Sequence, residues 1–86
     1  MKAGDLDRIK HAAKNGHLTY GRHALERAKQ RSVSRADVIR AIATSTDLEG
    51  QEDRKIRLKG GVDIDGDPLE VVVVEIQSGL FVVTVL

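Results

Sequence analysis

Three apolar patterns divide the chain. The first has helical spacing: Leu6, Ile9 and Ala13 recur at intervals of three and four, Asp5 stands ahead of them as an N-cap, and Gly16 ends the run. The second is also helical and comes in two pieces. Ala24, Leu25 and Ala28 define the inward face of one piece, and Val38, Ala41 and Ile42 that of the next, with Ile39 on its border. Ser34 is a good N-cap for the later piece, with Asp37 three residues on in a near capping box. From Lys55 the period changes to two. Ile56, Leu58 and Val62 alternate with Lys55, Arg57 and Lys59, as in a half-exposed strand. Leu69 to Ile76 contains four consecutive valines, and Leu80 to Leu86 is almost wholly apolar, so both read as strands buried on two faces.

These patterns predict helices over about 5–15, 22–31 and 34–44 and strands over about 55–60, 68–77 and 80–86. Residues 17–20 are either a short strand or an extended link, and the acidic stretch 47–54 reads as a surface loop. Asp65-Gly66 and Ser78-Gly79 are turn signals, so the three strands follow in hairpin order. The expected fold is α+β: three helices packed on one face of a three- to four-stranded antiparallel sheet. It makes a single domain over 1–86, with a helical half at 1–46 and a sheet half at 55–86.

Candidate chemistry concentrates in Tyr20 to Ala43. At about 100° per residue, His23, Arg27 and Arg31 lie within roughly 80° of one another on the second helix. An imidazole moves protons near neutral pH, and guanidinium groups stay charged and grip phosphate oxygens with two N–H bonds. The same stripe also reads as an ordinary solvated helix face. Tyr20 stands close by in sequence and is either a base-stacking or phosphate-bonding residue or a half-buried tyrosine; Arg22 is a further phosphate ligand candidate. Glu26 reads as a surface ion-pair partner that could compete as a base.

The segments H-A-L-E-R, A-K-Q-R and V-S-R-A-D-V-I resemble a family of small, mostly bacterial proteins, domain of unknown function 4258, whose members read H-A-x-x-R, then R-G-I-S, then an acid and Val. His23, Ala24, Arg27, Arg31 and Ser34 carry the likeness. Leu6 to Gly16 is similar to the family's leading helix and Phe81 to Val85 to its closing strand. One position departs: Ser32 stands where the family has Gly, so a turn with φ > 0 there would cost Ser some strain. The resemblance implies the fold of RelE-type and barnase-like ribonuclease toxins. It implies RNA cleavage without a metal, with His23 as acid/base, Arg27 and then Arg31 as charge stabilisers, and Thr84 as an orienting hydroxyl on the last strand. RNA, free or ribosome-bound, would be the substrate, a protein antitoxin the partner, and no cofactor would be needed.

Composition narrows the field further. There are no cysteines, which removes disulfides and thiolate zinc sites. No apolar run approaches a membrane span and the start lacks a signal-peptide core, which points to the cytoplasm and away from a membrane partner. The net charge of +1 conceals a division: residues 1–44 carry ten Lys/Arg against four Asp/Glu, and residues 45–86 carry four against nine. Either a basic face stands opposite an acidic one, or the blocks mix on folding. Asp63, Asp65 and Asp67 lack the glycine and glutamate spacing of a calcium loop, and His11, His17 and His23 share no helical face, so no metal site is expected. Two other functions stay open. One is a helix-turn-helix nucleic-acid module reading through Arg35 and Arg40, although that helix is poor in Asn and Gln; the other is an inactive partner-binding protein of the same fold.

Overall fold

The computed structural model describes residues 3–86. Its elements run α1 (Ala3–Lys14), β1 (Leu18–Tyr20), α2 (Arg22–Gln30), α3 (Arg35–Thr44), β2 (Asp47–Gly50), a 3₁₀ turn (Glu52–Arg54), β3 (Ile56–Lys59), β4 (Val71–Ile76) and β5 (Gly79–Val85). The class is α+β, with three helices and one five-stranded sheet in the order β1-β5-β4-β3-β2. Among these residues no helix is long and apolar enough to cross a membrane.

The expected meander is present: β3, β4 and β5 pair antiparallel in sequence order. Two strands extend it, and they correct the sheet expected from sequence. Residues 47–50 are not loop but edge strand β2, antiparallel to β3 with Leu48 opposite Leu58. The sequence hides it because DLEG lacks an apolar alternation, an edge strand needing only one partner. At the other edge β1 runs parallel to β5, with Leu18 opposite Leu80 and Tyr20 opposite Val82, so the sheet is mixed.

The helix ends follow local chemistry. Gly16, at φ 75°, closes α1: its N–H donates to Ala13 O and that of His17 to Ala12 O, the paired bonds of a Schellman turn. α2 ends the same way, with Ser32 N–H donating to Lys29 O and Val33 N–H to Ala28 O. Ser32 holds the left-handed position at φ 55°, so the departure from glycine does fall where φ is positive. α3 starts with the full capping box: Asp37 N–H donates to Ser34 Oγ at 3.1 Å, and Ser34 N–H to Asp37 Oδ2 at 2.9 Å. Asp5 is not the cap of α1; the helix already runs from Ala3, and Asp5 accepts a bond from Arg8 within its first turns.

One apolar cluster joins Ile9, Ala13, Ala24, Ala28, Val38 and Ile42 of the helices to Leu58, Val71, Val73, Leu80, Val82 and Val85 of the sheet. Full burial of each such Val or Leu stabilises the fold by about 1.5–3 kcal/mol. The helices therefore cover one face. The strands β4 and β5 are not buried equally on both sides: Val72 is buried but stands apart from the cluster, and Val74, Phe81, Val83 and Thr84 are half-buried on the far face. An irregularity between Val72 and Val73 sets Val83 as an extra residue against β4, because Val73 faces Val82 while Val72 faces Thr84. The charge blocks partly mix: Arg8 of α1 donates through Nε to Glu75 Oε2 of β4 at 2.7 Å. Arg57 and Glu70 pair within the sheet half at 2.6 Å.

Candidate functional site

α2 presents two different flanks. Ala24 and Ala28 point into the core, and the stripe of His23, Arg27 and Arg31 runs along one side of that face, each side chain exposed. No hydrogen bond or ion pair engages these three side chains among the described residues, whereas Arg8, Arg57 and Lys59 all face carboxylates. The stripe begins at an uncapped helix end. Gly21 is the N-cap and offers no side-chain acceptor, and the first turn carries no acid. The positive end of the helix dipole therefore stands next to His23 without a side-chain acceptor from the cap.

Gly21 also fixes how α2 leaves the sheet. Its N–H donates to Val82 O at 3.1 Å, and a Cβ there would stand 2.7 Å from the end of the Phe81 ring. β5 continues past the end of β1, so Val83 to Val85 have no strand on that side. Thr84 lies on this stretch with its side chain on the face away from the core, and its hydroxyl donates to Val85 O at 3.3 Å. No hydrogen bond joins Thr84 to His23, Arg27 or Arg31. Arg22 is almost fully exposed and approaches Glu26 at 3.6 Å, the surface pair expected for that glutamate.

The other flank of α2 holds a feature that the sequence does not announce. An open groove of about 320 Å³ is lined by Tyr20, Leu25, Ala28, Lys29, Val33 and Arg35. Leu25, expected to pack inward, is 47% exposed at its rim. The helix is narrow: only the Ala24/Ala28 line reaches the core, and Leu25 lies to one side of it. Arg35 forms a wall, held because its Nη2 donates to Gly16 O at 3.0 Å and Leu18 O at 3.2 Å. The guanidinium thus binds the α1–β1 link. Tyr20 completes the groove with a buried hydroxyl that has no partner among the described residues. Burial pushes the Tyr20 phenol above its ordinary pKa; Arg35 opposes that shift and Asp37 adds to it. Asp37 itself is held below the usual carboxylate range by the N–H of Ser34, the N–H of Ile64 and the Ser34 hydroxyl.

Among the described residues no group of three or more His, Asp or Glu is placed to hold a metal ion. The fold defines a small α+β protein built on a mixed sheet with α2 as its exposed, cation-rich element. The family described as Domain of unknown function (DUF4258) matches residues 20–86, and the chain belongs to it. The match begins at Tyr20, so α1, similar to the family's leading helix by sequence, lies outside it. No curated protein and no solved structure matches the chain.

Proposed function

We propose that the chain is a metal-independent endoribonuclease of the RelE-like kind, acting in the cytoplasm as the toxin of a toxin–antitoxin pair. The observation that carries the reading is the exposed, unpaired stripe of His23, Arg27 and Arg31 beginning at the uncapped end of α2. In the reaction the 2′-oxygen of one nucleotide attacks the adjoining phosphorus and loses its proton to a base. The bond to the 5′-oxygen breaks, and that oxygen receives a proton. His23 moves the proton at one end of this exchange. Arg27, one turn along, faces the charge that develops on the phosphorane oxygens, and Arg31 supports it. Thr84 on β5 is the orienting hydroxyl of this reading, and in the free protein it donates to Val85 O at 3.3 Å.

The test uses purified wild type, His23→Ala and Arg27→Ala with RNA alone and with translating ribosomes. Wild type should cleave in EDTA. His23→Ala should lose about 10²–10⁴ in rate and Arg27→Ala about 10²–10³. Both side chains are exposed, so circular dichroism should show folded variants. Cleavage unchanged in both folded variants would refute the assignment, and a wild type that cleaves neither substrate would leave a partner-binding protein of the same fold.

A further inference from the structure

An edge strand presents backbone donors and acceptors that another chain can pair with. The edges of this sheet are β1 and β2. Along β2, Gln51 N–H donates to Lys55 O, and Asp47 and Glu49 stand opposite Lys59 and Arg57 in the same register. Antiparallel pairing alternates, so Asp47, Glu49 and Gln51 turn their amides to β3, and Leu48 and Gly50 turn theirs out of the sheet. The outward amide of Leu48 is already taken: it donates to Asp47 Oδ1 at 2.8 Å. The other edge is treated alike. Leu80 N–H donates to His17 O and Gly21 N–H to Val82 O, so Leu18, between them, turns its backbone groups outward. Leu18 N–H donates to Gly16 O at 2.9 Å, and Leu18 O accepts from Arg35 Nη2 at 3.2 Å.

We infer that the chain closes both sheet edges with its own groups, and that Asp47 is the guard that keeps β2 from pairing with a second copy. Such a copy, laid antiparallel about a two-fold axis, would exchange bonds between Leu48 of one chain and Gly50 of the other. Asp47 removes the Leu48 donor from that exchange. Glu49 would then face its own counterpart across the axis, and like charges directly opposite are destabilising. Lys59 Nζ, 3.3 Å from Glu49, offsets this only in part, since both groups are exposed. The Gly50 amide is the outward donor that stays open on β2. The inference does not depend on the ribonuclease reading.

Amide exchange and sedimentation velocity test it together. Asp47→Ala should speed exchange of the Leu48 amide by about tenfold, the loss of one hydrogen bond, and leave the Gln51 amide unchanged. Wild type should sediment as a monomer up to about 1 mM. The double variant Asp47→Ala/Glu49→Thr should dimerise reversibly below that concentration. Adding Gly50→Pro to it deletes the remaining outward donor without touching a bond to β3, and should restore the monomer. Asp47, Glu49 and Gly50 are exposed, and circular dichroism checks that each variant is folded. A Leu48 exchange rate indifferent to Asp47→Ala overturns the proposal. So does a double variant that stays monomeric, a double-variant dimer indifferent to Gly50→Pro, or a wild-type dimer that Gly50→Pro abolishes.

Discussion

Gly61 is where the loop bearing Ile64 is fastened to the helical layer, and Gly61→Ala is the most informative single perturbation of the fold. A Cβ built on Gly61 lies 2.0 Å from Ala41 O and 2.8 Å from Ala41 C. Those atoms are α3 backbone, so no side chain can swing aside, and a real contact needs 3.0 Å or more. The helix and the link must part by about 1 Å. That gap would also stretch Leu69 N–H to Gly61 O at 3.0 Å and Val62 N–H to Thr44 Oγ1 at 2.9 Å. Overpacking of this kind costs about 1–3 kcal/mol. The stiffer unfolded chain of the alanine variant returns about 0.4–1 kcal/mol, so a net loss of about 1 kcal/mol is expected. For a domain of this size the melting temperature should fall by roughly 4–8 °C. Urea titration followed by circular dichroism measures the loss, with Gly4→Ala as a control. Nothing lies within 4 Å of a Cβ at Gly4 in α1, so that variant should gain up to about 1 kcal/mol. If Gly61→Ala stabilises the protein as Gly4→Ala does, the close approach of the link to α3 is wrong.

Three further outcomes follow from other sites. Ser32→Gly should raise stability by about 0.5 kcal/mol, because a left-handed L-residue costs about 1–2 kcal/mol and glycine's looser unfolded chain costs back about 0.5–1; a lower melting temperature would deny the positive φ at the end of α2. Tyr20→Phe should be neutral or stabilising by up to about 1 kcal/mol, since it deletes a buried hydroxyl that has no partner; a loss of more than that in urea would mean that the hydroxyl is bonded. The raised Tyr20 pKa implies stability that is whole below about pH 10, the ordinary tyrosine value, and declines as pH rises through the folded value, and Tyr20→Phe should remove that part of the alkaline decline. Asp37 works in the opposite sense. Its lowered pKa gives stability that is whole above about pH 4 and is lost as pH falls through the folded value, so Asp37→Asn should flatten the acid limb of a melting-temperature profile.

The parts of the fold legible in sequence are those whose periodicity is long enough to repeat. α1, α2, α3 and the β3–β4–β5 meander each show two or more turns or alternations, and Ser34 with Asp37 announces the start of α3. β1 has three residues, too few to show a period, and its partner β5 is far along the chain. β2 is as long as β3 but lacks its apolar alternation. The His23 stripe follows from helix geometry alone. The groove does not, because its walls come from β1, α2 and α3 together, with Arg35 tied to the α1–β1 link. Leu25 shows the limit clearly: the apolar pattern places it inward, but only the Ala24/Ala28 line of α2 reaches the core, and Leu25 stands at the rim. Thr84 entered through family likeness, with no residue-level signal of its own, and no bond in the structure ties it to the stripe.

The parallel pairing of β1 with β5 has a consequence for synthesis. The seat of α2 is made from β5, far along the chain: Gly21 donates to Val82, and Leu80 donates back to His17. The 55 residues from Arg31 to Val85, which follow α2 up to the end of β5, take roughly 3–11 s to translate at about 5–20 residues per second. Throughout that interval α2 has been made but its floor has not, and the stretch holding His23 and Arg27 stays unmounted beside the ribosome that is producing it. The site is assembled only once β5 is available, so a truncated product ending before β5 has the residues of the stripe without the surface that positions them.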